Sequence, residues 1–215
     1  MNISLIKKYW MALTGLFLIT FLIVHLAGNL TLIWGSPEDF NAYAKFMTTF
    51  PLIKITSYLL YASILGHAVL GIALARQNKA ACPVDYAYNK PSANSSWASR
   101  SMALLGIITF VFLVIHMKSF WFEMHWGEIN NDSNGNRDLY GVVYAAYSEW
   151  WYVAIYVVSM IILSFHLSHG FSSAFQTLGL SHKKYTPFIK FLGKAFSIIV
   201  PLLFAAMLIF GTSCG

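Results

Sequence analysis

Four histidines, His25, His67, His116 and His166, each lie inside a separate apolar stretch long enough to cross a lipid bilayer. An ionisable side chain is costly to keep in hydrocarbon, so each is read first as a functional group. A neutral imidazole offers a lone pair to a metal, and histidine is a standard axial ligand of haem iron. At 1.5 Å per helical residue, His25 falls about 6 Å and His116 roughly 7 Å to the outer side of mid-span, while His67 falls about 5 Å to the inner side. His166 sits slightly inward as well. Two pairs result, His25 with His116 and His67 with His166, one towards each membrane face. Two stacked haems, each between two histidines, need that arrangement. An iron with both axial positions filled has no site for oxygen, so its chemistry is electron transfer.

A flat macrocycle also needs room beside the helices that hold it. Gly71 and Gly170 follow His67 and His166 by four residues, one turn along on the same face. Gly15 and Gly106 each precede His25 and His116 by ten. The echo reads as a parallel repeat of a two-helix unit. It also selects His166 over His169, which has no glycine four residues on. His169 is then a supporting or packing residue, His125 an outer-surface residue and His182 an inner-loop residue. A lone buried histidine is more often a packing or relay residue; four in matched pairs, with no acid inside any span, favour ligation. Zinc or copper fits less well, since the pairs are separated in depth and no carboxylate joins them.

The elements that position these residues follow from composition. The chain has 215 residues, 58% hydrophobic and 10% charged, with a mean hydropathy of +0.61, which excludes an ordinary soluble domain. Five stretches are long enough to span as helices: Tyr9 to Trp34, Leu52 to Ala75, Ser101 to Trp121, Trp150 to Leu178 and Pro187 to Gly211. The expected fold is an all-α membrane protein of one domain over 1–215, its first four helices forming the haem-binding bundle. The first stretch, with its histidine, reads as a mature span and not a signal peptide. Lys7, Lys8, Arg76, Lys79, Lys90, Arg100, Lys183, Lys184, Lys190 and Lys194 fall on the N-terminal side of the membrane, ten cations against four on the other. That bias predicts N-terminus in, C-terminus out. The net charge of +6 thus reflects topology and gives no ground for nucleic-acid binding. Cys82 and Cys214 fall on opposite sides and cannot form a disulfide.

After the first span, Ser36-Pro37-Glu38-Asp39 combines a capping residue, a first-turn proline and acids. Phe40, Tyr43, Ala44 and Met47 then recur at helical spacing, which predicts a surface helix over Pro37 to Thr49. Residues 77–99 read as an inner loop, and 122–148 as an outer loop with a polar turn at Gly135. Neither is long enough for a catalytic domain.

The segments Thr14-Gly15-Leu16-Phe17 leading to His25-Leu26, Ser99-Arg100-Ser101-Met102 leading through Gly106 to His116, and His166-x-x-x-Gly170 followed by Leu178-Gly179 resemble the di-haem cytochrome b subunit of succinate dehydrogenases and fumarate reductases. Ser148-Glu149-Trp150 resembles a stretch of the fumarate reductase branch. The resemblance spans all five helices. It implies two haems b and a quinone, usually menaquinone. It also implies an iron–sulfur subunit with its flavoprotein on the cytoplasmic side of a bacterial inner membrane. One departure is Met47, where some members carry a glutamate. On that reading Arg76 and Arg100 are expected near the haem carboxylates. A quinone slot is expected among Phe40, Tyr43, Trp34 and Trp150, with Asn29 and Glu149 as its polar groups and Glu149 as proton acceptor. The rivals are the anchor of a hydrogenase or formate dehydrogenase, and a histidine-relay transporter.

Overall fold

The computed structural model describes residues 3–81, 93 and 95–210; Cys82, Cys214 and most of the inner loop lie outside them. The described chain is helical, with a single isolated bridge between Asn131 and Arg137 and no strand. Five helices have the length and apolarity to cross a membrane: Leu5–Trp34, Pro51–Ala80, Met102–Trp126, Trp150–Thr177 and Thr186–Leu208, with mean hydropathy between 1.7 and 2.2. The protein is thus an all-α, multi-pass membrane protein. The second and third spans run further than the sequence expectation, to Ala80 and Trp126.

The first four spans pack in a ring, each against its neighbours, and the fifth lies outside against the fourth and first. Histidines on spans one and three, or two and four, therefore meet across the middle. Large apolar side chains such as Leu52, Ile55, Leu59 and Val69 face outward on the second span, as expected where lipid and not water is the neighbour.

The outer end, the one opposite the chain's N-terminus, is roofed. The surface helix forms over Pro37–Thr49, as the sequence predicts, and its capping box is closed: the Ser36 hydroxyl accepts from the Asp39 amide while the Asp39 carboxylate accepts from the Ser36 amide at 3.0 Å. The Ser36 amide, and after it the Ser36 hydroxyl, hold the Asp39 carboxyl below the usual range. Phe40 and Ala44 are buried, with Tyr43 and Met47 half-buried beside them. The outer loop is partly helical, with turns at Glu123–Trp126 and Leu139–Tyr147. Its polar turn is closed by Gly135 at φ +73°, a conformation suited to glycine. Below it, Phe40, Phe120, Val143, Tyr152, Tyr156 and Leu208 form one buried cluster.

Asn41 locks helix and loop together and is fully buried. Its amide donates to Asp132 at 3.2 Å and Asp138 at 3.0 Å, and its carbonyl accepts from the Tyr140 amide at 2.9 Å. Lys45 donates to the Asn136 side chain at 2.9 Å. Desolvation opposes ionisation of Asp132, yet the Asn136 and Asn134 amides and the Asn41 side chain together hold its carboxyl below the usual range.

Candidate functional site

The packing brings the four histidines together as two couples. The rings of His25 and His116 have centroids 5.7 Å apart and cross at 86°. Those of His67 and His166 lie 6.3 Å apart and cross at 72°. Two imidazoles that each bring a nitrogen about 2 Å from one metal have centroids roughly 6 Å apart. Both couples have that spacing. Among the described residues no three of His, Cys, Asp and Glu gather at one point, so the donor sets remain pairs.

Hydrogen bonding orients the rings. Thr14 Oγ1 donates to the Trp10 carbonyl at 2.7 Å and lies 3.1 Å from His67 Nδ1. Its only proton is used on that carbonyl, so it accepts from His67 Nδ1–H, leaving the Nε2 lone pair free for a metal. His116 Nδ1 lies 2.9 Å from the Tyr156 hydroxyl. Asn29 donates to the His25 carbonyl at 2.8 Å and stands 3.4 Å from its Nδ1. His166 Nδ1 is buried with no partner among the described residues. Such an orphan is costly unless something else occupies the site.

The neighbours of the repeat's glycines lie across helices. Spacing along the chain ties Gly15 to His25 and Gly106 to His116, but packing sets them against the other couple. A methyl group at Gly15 would lie 3.3 Å from His67 Cε1, and one at Gly106 would lie 3.5 Å from His166 Cε1. The repeat is real in space: in each two-helix unit the odd span's glycine makes room for the even span's histidine. Gly170 has nothing within 4 Å of an added methyl, and at Gly71 that methyl would touch Met11 at 3.4 Å.

A cavity of about 180 Å³ lies at the inner end between Ser96 and Ala98 and the inner turns of the fourth span. Ser168, His169, Ser172, Ser173 and Gln176 also line it. The serines at 57, 159 and 197 each bond a carbonyl of their own helix. No bond of that kind engages Ser168, Ser172 or Ser173 among the described residues, so their hydroxyls face the cavity as available donors. His169 thus belongs to a polar recess beside the inner couple.

The other expected residues are dispersed. Arg76 and Arg100 are exposed, and the Arg100 guanidinium donates to the Ser95 carbonyl. Trp34 and Trp150 are 78% and 80% exposed. Glu149 accepts from the Trp151 indole at 3.1 Å. The outer corner holds a cavity of about 10 Å³, lined by Leu32, Tyr140, Val143, Tyr144, Tyr147 and Met207. That is room for about one water and not for a ring. His125 and His182 are exposed, as expected.

Sequence reasoning missed Tyr156 and Thr14, which face ligand-type histidines, and the change from α to π geometry over Met117–Phe122, directly after His116. Tyrosines four apart at 152 and 156, at the depth of His116, are the signal that marks the first. π-turns often accompany functional sites. No protein-family model, curated protein or solved structure matches this chain.

Proposed function

We propose that the chain is the membrane cytochrome b subunit of a succinate dehydrogenase or fumarate reductase complex. It holds two haems b and carries electrons between menaquinone and an iron–sulfur subunit paired with a flavoprotein. The observation that carries this reading is the two diagonal histidine couples at 5.7 and 6.3 Å. His25 and His116 would hold one haem, His67 and His166 the other; haem, when bound, supplies one-electron iron chemistry. Two histidines per iron leave no vacant position, which favours electron transfer over oxygen or substrate binding. Thr14 fixes the His67 tautomer, while Gly15 and Gly106 keep side-chain bulk away from the inner rings. Ser168, Ser172, Ser173 and Gln176 are donors suited to carboxylates at the inner end. The charge split of ten against four supports an N-terminus in the cytoplasm of a bacterial inner membrane. Soluble partners then dock on the inner, lysine-rich side.

A redox-resolved visible spectrum of the purified complex, with its subunit composition, tests the reading. Two b-type haems per chain together with flavin and iron–sulfur subunits are expected. A colourless protein overturns it in favour of a transporter, and a nickel or molybdenum subunit in favour of another dehydrogenase.

A further inference from the structure

One imidazole of each couple has a hydroxyl at its Nδ1, Thr14 for His67 at 3.1 Å and Tyr156 for His116. His116 Nδ1 meets the Tyr156 hydroxyl at 2.9 Å, and the Tyr152 hydroxyl donates to that of Tyr156 at 3.2 Å. Tyr156 is only 5% exposed. Its ring is wedged edge-on against Phe112 at 4.8 Å and lies 4.8 Å from Tyr152. A hydroxyl so confined has one place to go. Phe112 and Phe120 also flank the His116 ring, at 5.9 and 5.4 Å, so the imidazole turns little. His166, across the bundle, has no partner on Nδ1 among the described residues.

Given the haem reading above, we infer that Tyr156 is the positioning residue of the outer haem site, fixing His116 with its proton on Nδ1 and strengthening it as an iron donor. A metal on Nε2 leaves the second nitrogen protonated, so His116 then donates to the Tyr156 oxygen. An imidazole that donates a hydrogen bond pushes more electron density to its metal, which favours ferric iron and lowers the reduction potential. In the inner couple that role falls to Thr14 at His67, and His166 has none. The Tyr156 hydroxyl thereby sets the potential of the outer site and leaves that of the inner site untouched.

Potentiometric titration of the intact complex carrying Tyr156→Phe tests this. Phenylalanine keeps the ring packing and removes only the hydroxyl. Expected are two haems per chain, an upward shift of the outer midpoint, a changed paramagnetic-resonance signature of the outer ferric haem, and an inner haem unchanged in both. His116→Ala, which deletes the outer site, assigns the midpoints. Tyr152→Phe leaves the His116 contact in place and shifts the outer midpoint less. Loss of the outer haem alone in Tyr156→Phe, with that haem retained in Tyr152→Phe, also supports the role. Both haems present with the outer midpoint unmoved, a shift confined to the inner haem, or loss of both haems overturns it. A wild-type complex without haem defeats the haem reading itself, a result told apart from the others by haem content alone.

Discussion

At the outer end, His25 and His116 sit beneath a hydrogen-bonded roof: Asn41 bonds Asp132, Asp138 and Tyr140, and Tyr152 bonds Tyr156, with Arg137 Nε the buried roof atom left without a partner among the described residues. At the inner end, His67 and His166 sit beside glycines and a cavity of about 180 Å³ lined by serines, His169 and Gln176. In a low-dielectric interior a satisfied polar network rigidifies its surroundings, whereas donors left open are available to a ligand or water. The same couple of imidazoles is thus placed once in a closed setting and once in an open one. For a chain proposed to pass electrons between two sites, the groups bonded around the histidines and the access of water, not the axial ligands, are what make the sites unequal.

The largest effect should come from deleting a member of a couple. His166→Ala is expected to reduce haem from two per chain to one and to abolish the inner site's spectrum. His169→Ala, in the wall of the adjacent cavity, should keep both haems. Haem counting on purified variants checks this, and the reverse pattern would move the inner ligand to His169.

The roof predicts a smaller loss that is confined to the outer end. Asn41→Ala removes hydrogen bonds to two carboxylates and leaves the Tyr140 amide short of its acceptor, which should cost roughly 2 kcal/mol. Thermal unfolding of the purified protein reads it. Asp39 and Asp132 are held below their ordinary value of 3.8. Their stabilisation is therefore complete above that pH and is lost as pH falls through the lower folded values. Wild type should lose stability at the outer end between about pH 4 and lower pH, and Asn41→Ala should lose less there. An equal acid loss in both proteins would detach Asn41 from the carboxylates.

Much of this was legible in the chain because period and depth are one-dimensional quantities. The five spans, the capped helix at Pro37 and the pairing of four histidines each follow from spacing along one helix. Spacing does not say which couple Gly15 and Gly106 serve, because sequence distance runs along a span, while their contacts run across to the neighbouring helix. Asn41 and Tyr156 look like ordinary surface and core residues until a segment some hundred positions away, or the facing helix, supplies the partner. In the expected quinone corner, Trp34 and Trp150 lie on faces that point outward. Depth is readable from sequence, whereas azimuth around the bundle depends on the whole packing.

Glu149 gives the smallest effect and the sharpest discrimination between the two ends. It stands at the N-terminus of the fourth span, where, among the described residues, its side chain caps no amide and accepts from the exposed Trp151 indole alone. Glutamine preserves that acceptor, so Glu149→Gln should leave folding and haem content unchanged. An exposed carboxylate competes with water as a proton carrier, so quinone-linked turnover should slow by less than about tenfold, below the contribution of a buried general base. The inner cavity offers the contrasting case, with His169 beside several hydroxyl donors and far more room than the outer corner. Turnover with quinone, set against dye-linked succinate oxidation as the control, separates the two. Slowing by Glu149→Gln and not by Ser173→Ala keeps quinone at the roofed end. The opposite result assigns quinone to the open end, and makes its polar cavity the place where protons enter.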